Sequence, residues 1–414
     1  MTRAGQRSLR DHNLCLVFSF IASADPDRPR SRADLAELTG LTKATVSSLV
    51  ISLREIGLVT ELDPSYPHRV GRPAIPLVVS KGTVAALGLE INVDFLGLRA
   101  IDLTGEVLGE SFEKVNLRGS DPSVAFAALI RHAYDLVSHL ETQSVRLIGA
   151  CLALPGIADH PYGPLRLAPN LGWRDIDISA TMALAFDALV DEVGTDDVTE
   201  ILRTLIVDGL AVDNEANLAA RTEIDKHQDK SFIYVSGEIG IGAAIVVDGE
   251  VFSGLHGWAG EIGHIVVDPH GPVCACGATG CLEMYAGKRS LMLAAGLDPE
   301  GSIDTLLQAQ SAGEPQACEA IDRAAEALGI ALADCMNFVD VSRIVLGGSF
   351  APLTPALAPG LTTQISSRVL ASRWVSEDLD IRASGSGQYA AATGSALAVL
   401  DQAMADPASA LWGE

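Results

Sequence analysis

Between Ser31 and Ile56 apolar side chains recur at the three-to-four-residue spacing of helices, and the rhythm then tightens to that of strands. Ser31-Arg32-Ala33-Asp34 offers a hydroxyl to free backbone N–H groups and an acid three residues on, the pattern of a capping box. Ala33, Leu35, Ala36 and Leu38 supply small and apolar side chains up to Gly40. After the break at Gly40-Leu41, Thr42 can cap a second helix over 43–56, with Val46, Leu49, Val50, Leu53 and Ile56 on its buried face. Gly57 ends that helix and a strand begins over 58–62. Beyond a turn at 64–68, a second strand runs through Val79.

Two helices broken by glycine, then a hairpin tipped with Arg69-Val70-Gly71-Arg72-Pro73, predict a winged helix-turn-helix. A plain packed helix pair is the commoner use of such a pattern, and the basic hairpin tip favours DNA. Lys43, Thr45, Ser47 and Ser48 would sit at the exposed start of the second helix, able to reach base edges or phosphates. Arg69 and Arg72 would sit on the wing, placed for phosphate or minor-groove contact.

From Thr83 the pattern changes. Apolar strands are expected at 84–90 and 96–102, continuing as a meander through 103–108, then a helix from Pro122 to about Leu140 and a buried strand at 147–154 ending in Pro155-Gly156. Further strands fall at 232–236, 243–247, 251–252 and 344–347, with helices around 216–224, 287–295, 317–339 and 388–402. Strands mixed with crossover helices predict an α/β body. No internal repeat in the residues divides it. The expected division is a DNA-binding domain over 1–80 and a second, larger domain over 81–414.

At 414 residues the chain exceeds one ordinary core, and 48% hydrophobic with 20% charged residues describes a folded protein. No run of eighteen uncharged apolar residues predicts a membrane span, and the first residues lack a secretory pattern. Seven cysteines is an odd number, with Cys15, Cys151, Cys318 and Cys335 scattered, which points to a reducing, cytoplasmic setting. The net charge of −24 argues against nucleic acid until it is divided along the chain. Residues 1–80 hold ten Lys and Arg against eight Asp and Glu, while the rest hold 19 against 45. A near-neutral head with local arginine clusters on an acidic body fits a DNA-binding module joined to an unrelated effector domain.

The densest chemistry lies between Gly257 and Glu283. His264, Cys274, Cys276 and Cys281 supply three thiolates and an imidazole, a full tetrahedral shell for Zn²⁺ with no position left for water. A closed shell is structural, so the expected cofactor is one Zn²⁺ per chain that shapes the 264–281 loop. Cys-x-Cys is a tighter spacing than usual, but Gly271, Gly277 and Gly280 give the backbone the freedom a knuckle needs. The bland reading is three buried or reactive cysteines and a surface histidine.

Glu261-Ile262-Gly263-His264, then Cys274-Ala275-Cys276-Gly277 and Gly280-Cys281-Leu282-Glu283, resembles the signature of the ROK family of repressors, open reading frames and kinases. The resemblance implies a two-lobed actin-like, ribonuclease-H-like domain of the sugar-kinase type. The head resembles the winged helix of the family's repressors, including Gly71-Arg72-Pro73, whereas its kinases begin at the next domain.

Family kinases carry Asp-x-Gly-Gly-Thr-Lys in the first hairpin, where glycines admit ATP phosphates. Here the aligned residues are Glu90-Ile91-Asn92-Val93-Asp94-Phe95, which lose both glycines and add an acid. The second phosphate loop, Gly-Thr-Gly-x-Gly in kinases, reads Gly237-Glu238-Ile239-Gly240-Ile241-Gly242, and Gly347-Gly348 resembles the adenosine-side turn. Asn214-Glu215-Ala216-Asn217 resembles Asn-Asp-Ala-Asn, so Glu215 stands where the catalytic aspartate would be. By the same resemblance Glu261, His264 and Glu283 line a sugar pocket with Asn214 and Glu215, closed on its other side by Gly156 and Asn170. Carboxylates, amides and an imidazole suit a polyhydroxylated ligand. Taken singly, Asn170 and Asn217 read as loop and cap residues.

The expectation is a cytoplasmic, sugar-responsive transcriptional regulator, a repressor without kinase activity. Its partners would be operator DNA, a sugar or sugar derivative as effector, and a second copy in a homodimer or a tetramer, with no membrane. The rival is an ATP-dependent sugar kinase of the same family with an added N-terminal module. A third reading is an interaction protein regulated by partner binding.

Overall fold

The computed structural model describes residues 3–63, 75–227, 230–370 and 379–407, with residues 3–8 as backbone alone. The head contains α1 (Arg3–Ala22), β1 (Arg30–Ser31), α2 (Arg32–Thr39), α3 (Lys43–Glu55), β2 (Val59–Glu61) and β3 (Pro76–Val79). The capping box forms: Asp34 N–H donates to Ser31 Oγ (3.4 Å), and Ser31 N–H donates to Asp34 Oδ2 (2.8 Å). Thr42 caps α3 by accepting from Thr45 N–H (3.1 Å). Val46, Leu49, Val50 and Leu53 are buried as the spacing requires, but α3 stops at Glu55 and Ile56 is its half-buried cap residue. β3 pairs antiparallel with both β1 and β2. The wing-tip residues Arg69 and Arg72 lie outside the described residues. The helix α1, absent from the sequence reading, places Leu14, Val17, Phe18 and Ile21 in one core with Leu35 and the buried face of α3.

The first lobe runs β4 (Val84–Ile91), β5 (Phe95–Asp102), β6 (Val107–Lys114), α4 (Pro122–Thr142) and β7 (Arg146–Leu154). A small sheet of β8 (Ile157–Ala158), β9 (Leu165–Ala168) and β10 (Trp173–Ile176) follows, then α5 (Ile178–Val193), α6 (Asp197–Leu202), β11 (Ala211–Asn214) and α7 (Glu215–Arg221). The main sheet has the order β11-β7-β4-β5-β6, antiparallel from β4 to β6 and parallel from β4 through β7 to β11. Every residue of β4 is buried, because both faces of the sheet are covered. Ala85, Leu87, Leu89 and Ile91 join the core beneath α4, while Val84 and Ala86 face the core shared with the head.

The second lobe repeats this plan with β12 (Phe232–Gly237), β13 (Ile241–Val247), β14 (Glu250–Val251), α8 (Glu283–Ala286), α9 (Lys288–Ala294), α10 (Ile303–Ser311), α11 (Pro315–Val339), β15 (Arg343–Gly348), α12 (Phe350–Arg368) and β16 (Asp380–Ala383). Its sheet order is β14-β13-β12-β15-β16, again an antiparallel meander extended by two parallel strands. This is the two-lobed, actin-like fold with its own core in each lobe. The final helix, α13 (Ala390–Ala405), returns to pack on β4, β7 and α7 of the first lobe. Among the described residues no helix is long and apolar enough to cross a membrane.

Candidate functional site

A cavity of about 310 Å³ opens between the lobes. Asn92 and Val93 reach it from the β4–β5 turn, Gly156 from the end of β7, Asn170 from the β9–β10 turn, and Asn214 and Glu215 from the junction of β11 with α7. The second lobe supplies Glu238 to Gly242, Glu261, His264, Cys276 and Glu283. All seven residues singled out for a sugar, Gly156, Asn170, Asn214, Glu215, Glu261, His264 and Glu283, therefore line one wall system. Asn214 is the least free of them. Its Oδ1 caps α7 through Ala216 N–H (2.8 Å), and its Nδ2 donates to Gly156 O (2.9 Å), which fixes the turn after β7. Asn217 is buried and donates to Asp213 Oδ1 (2.9 Å), a structural role.

Acids gather where the β4–β5 turn, the start of α7 and the β12–β13 turn meet. Asn92 Nδ2 lies 3.2 Å from Glu215 Oε2 and 3.5 Å from Glu90 Oε1, so one amide bridges two carboxyls. Glu90 is 4% exposed, and burial raises its carboxyl to about 7 against the pull of the Asn92 and Ala392 donors. Burial, with Asp94 and Glu90 nearby, raises Glu238 to about 8. Burial likewise pushes Glu215 well above the ordinary carboxylate range, reinforced by Glu90, Glu238, Glu261 and Asp94. Glu261 is raised too, chiefly by burial. Asp94 keeps a buried Oδ1 without a hydrogen-bond partner. Among the described residues, no lysine or arginine lines this cavity.

The sequence reading noted Asn92 only as part of a degenerate loop. Its place was legible in one respect: it lies only two residues after Glu90, where β4 gives way to the β4–β5 turn. A larger cavity of about 650 Å³ adjoins, sharing Glu238 and lined also by Asp94, Lys114, Lys288 and Gly348.

The metal candidates converge as well. His264, Cys274, Cys276 and Cys281 each present one ligand atom, all within 4.8 Å of one another. Cys276 Sγ is 3.7 Å from Cys281 Sγ, and Cys274 Sγ is 3.9 Å from His264 Nδ1. A tetrahedron with metal–sulfur bonds of about 2.3 Å has edges of roughly 3.8 Å, so donor set and spacing both fit a closed zinc shell. Bridges from Val266 to Cys281 and from Val273 to Thr279 build the knuckle, with Gly277 and Gly280 at φ of 96° and 77°. Tyr285 Oη donates to Asp268 Oδ2 (2.9 Å) across its base. The imidazole turns Nδ1 toward the thiols, leaving Nε2 3.8 Å from Glu261 Oε2 on the cavity wall. His264 and Cys276 thus join the knuckle to the cavity.

On the head, Lys43 and Ser48 are exposed and Thr45 and Ser47 half-buried at the start of α3. The Thr45 hydroxyl lies 2.9 Å from Thr42 Oγ1, so it is partly engaged in the cap.

Comparison with known proteins agrees in extent with this layout. The model of the ROK family matches residues 88–402, and that of the IclR helix-turn-helix domain matches residues 17–63. The chain is 27% identical over 378 residues to the xylose repressor of Bacillus subtilis, covering 90% of this chain and 91% of that protein. It is 26% identical over 388 residues to the DNA-binding transcriptional dual regulator NagC of Escherichia coli, covering 89% and 90%. In structure it resembles a ROK family transcriptional regulator homologous to the E. coli MLC protein, with a TM-score of 0.73 at 24% identity over 96% and 97% of the two chains. A ROK family glucokinase from Streptomyces griseus, in complex with glucose and AMPPNP, matches with a TM-score of 0.60 at 22% identity over 76% of this chain and 98% of its own.

Proposed function

The chain belongs to the ROK family, and from that premise we propose that it is a sugar-responsive, DNA-binding repressor of carbohydrate uptake or catabolism genes that does not phosphorylate its sugar. The observation that carries the reading is the pairing of a helix-turn-helix head with a cavity lined by Glu215, Glu238, Glu261 and Glu283. Residues 1–80 bind the operator through Lys43, Thr45, Ser47 and Ser48, with Arg69 and Arg72 on the wing. Residues 81–414 bind the sugar. The matches to both regulators cover about nine-tenths of this chain.

Glu215 explains the loss of chemistry. Burial raises the Glu215 carboxyl well above the ordinary range, and the side chain stands about a methylene further out than an aspartate would, which misplaces it for taking a proton from a sugar hydroxyl. It can still donate or accept a hydrogen bond, which is what a sensor requires. The effector is an unphosphorylated sugar, because a phosphate ester would meet Glu215, Glu238, Glu261 and Glu283 with, among the described residues, no lysine or arginine on the cavity wall to pair it. One zinc ion, held by His264, Cys274, Cys276 and Cys281, shapes the wall and points His264 at the sugar. Paired heads in a homodimer offset the acidity of the body, so the operator is palindromic, and the work is cytoplasmic. Sugar binding shifts the heads only if the DNA-competent and DNA-free states bind it with different affinity.

The test combines a thermal-shift screen with a DNA-binding assay. A neutral monosaccharide should raise the melting temperature while its 6-phosphate does not. The protein should bind a promoter of sugar-catabolism genes in a salt-sensitive manner, and the stabilising sugar should release it. Stabilisation by no sugar, together with salt-insensitive DNA binding, would remove the reading.

A further inference from the structure

Glu90 does not line the sugar cavity. It stands behind Asn92, and through it the cavity wall meets α13. We infer that Glu90 is the positioning residue by which occupancy of the cavity reaches the DNA-binding head; the inference rests on the function proposed above.

The first link is the Asn92 amide, which donates to Glu215 Oε2 in the cavity wall (3.2 Å) and approaches Glu90 Oε1 (3.5 Å). The second is Glu90 Oε2, which accepts from Ala392 N–H (3.1 Å) in the first turn of α13. A carboxylate there satisfies an amide that has no partner inside the helix and opposes the positive end of the helix dipole. How well it does so depends on its own charge, which the low-dielectric site and its neighbours set near neutrality.

The third link is packing. A Cβ built on Gly88 of β4 would lie 1.8 Å from Ala392 O, and one built on Gly394 of α13 would lie 1.7 Å from Leu218 O in α7. Backbone touches backbone at both places, so α13 is seated directly on the strand that carries Glu90 and the helix that begins at Glu215. Neither can shift without carrying α13, because close-packed interiors transmit displacement.

At its other end α13 belongs to the head. Ala396 and Leu400 lie in one buried cluster with Leu14, Val17 and Phe18 of α1 and Val46, Leu49 and Val50 of α3. The path from cavity to recognition helix is therefore Glu215, Asn92, Glu90, α13, α1 and α3. A sugar hydroxyl that engages Glu215 competes for the Asn92 amide, changes its share on Glu90, and so changes the hold on the first turn of α13.

Hydrogen–deuterium exchange on the full chain reads this without sugar or DNA. Glu215→Ala stands in for a change at the cavity wall. In the otherwise unaltered chain it should change amide exchange in α13, α1 and α3 by about threefold or more, the size expected of a coupling between distant sites. Glu90→Leu, which removes both links with an apolar side chain, should confine the response to the cavity. Glu90→Gln, which keeps a carbonyl for Ala392, should restore it in part and serves as the arbiter if the leucine variant does not fold. The inference is overturned if Glu215→Ala leaves the head unchanged, or if the head responds equally with leucine or glutamine at position 90. DNA binding is measured separately on the same proteins. A relay that works in a chain with no DNA affinity would sink the repressor reading and leave this one standing.

Discussion

Burial, more than residue type, sets what the acids of the cavity can do. Glu90 holds its proton up to about pH 7 and Glu238 up to about 8, while in the unfolded chain each loses it near the ordinary value of 4.5. The native state therefore binds more protons across that window, and stability falls as pH rises through it. At about 1.4 kcal/mol per pKa unit, Glu90 alone accounts for a loss on the order of 3 kcal/mol by pH 8. We expect the melting temperature of the sugar-free protein to drop between about pH 5 and 8, and Glu90→Gln or Glu238→Gln to flatten the drop. A profile that rises over this range would contradict the burial argument. A second expectation concerns Cys276, the exposed member of the knuckle. Cys276→Ser should reduce bound zinc from one equivalent to a small fraction by elemental analysis, lower the melting temperature, and weaken sugar binding about tenfold or more, because the metal orders the wall that carries His264.

Among the elements, α3 carries the most direct test of DNA binding. Lys43→Ala should weaken binding alike on all sequences and reduce the salt slope by about one, as for a single phosphate contact. Ser48→Ala should cost on the order of 1–3 kcal/mol at particular bases and little elsewhere, if Ser48 reaches a base edge. Thr45→Ala differs from both, since Thr45 also touches the Thr42 cap, and its loss should appear partly in thermal stability. Footprinting with a panel of altered operators separates the three. Equal, sequence-independent losses from Lys43→Ala and Ser48→Ala would mean that α3 does not enter the groove as proposed. Sequence legibility also varied by element. α2, α3 and the strands β4, β5 and β7 followed from their spacing. α12 was not among the expected helices; it holds Pro355 and Pro359 in its interior, which disfavour a helix locally, yet packing against α11 keeps the segment helical. α1 was passed over because its buried positions gain meaning only against α3 and α13.

For the whole molecule, the contest is between sensor and kinase. The larger cavity beside Glu238 could accommodate a nucleotide by volume alone, so the absence of phosphotransfer has to be measured. A coupled assay with ATP and each sugar that stabilises the protein should show no turnover; a rate in the ordinary enzyme range of about 1–10³ per second would restore the kinase reading. The head cannot be removed cleanly to run that assay. Val84, Ala86, Ile101, Leu103, Ala396 and Leu400 of the body share its core, so deleting residues 1–80 uncovers an apolar face. Point substitutions in α3 are the better control.

Local pattern alone determined several features of this protein. The capping box at Ser31, the helix break at Gly40, the spacing of α3 and the four candidate ligands of the knuckle all depend on residues close in the chain, where periodicity and donor chemistry act without knowledge of the fold. The duplicated lobes were invisible at that level. Two sheets of identical strand order emerge from segments with no evident repeat, because topology is held by which faces are buried and many sequences bury the same face. Only the tertiary structure placed Gly156, Asn170 and Glu283, drawn from distant elements, on one cavity, and only burial there converts ordinary glutamates into groups that keep their protons. The seat of α13 against both lobe and head is likewise a tertiary fact. Its alanines and Gly394 read as a generic helix until the backbone of β4 and α7 arrives against them.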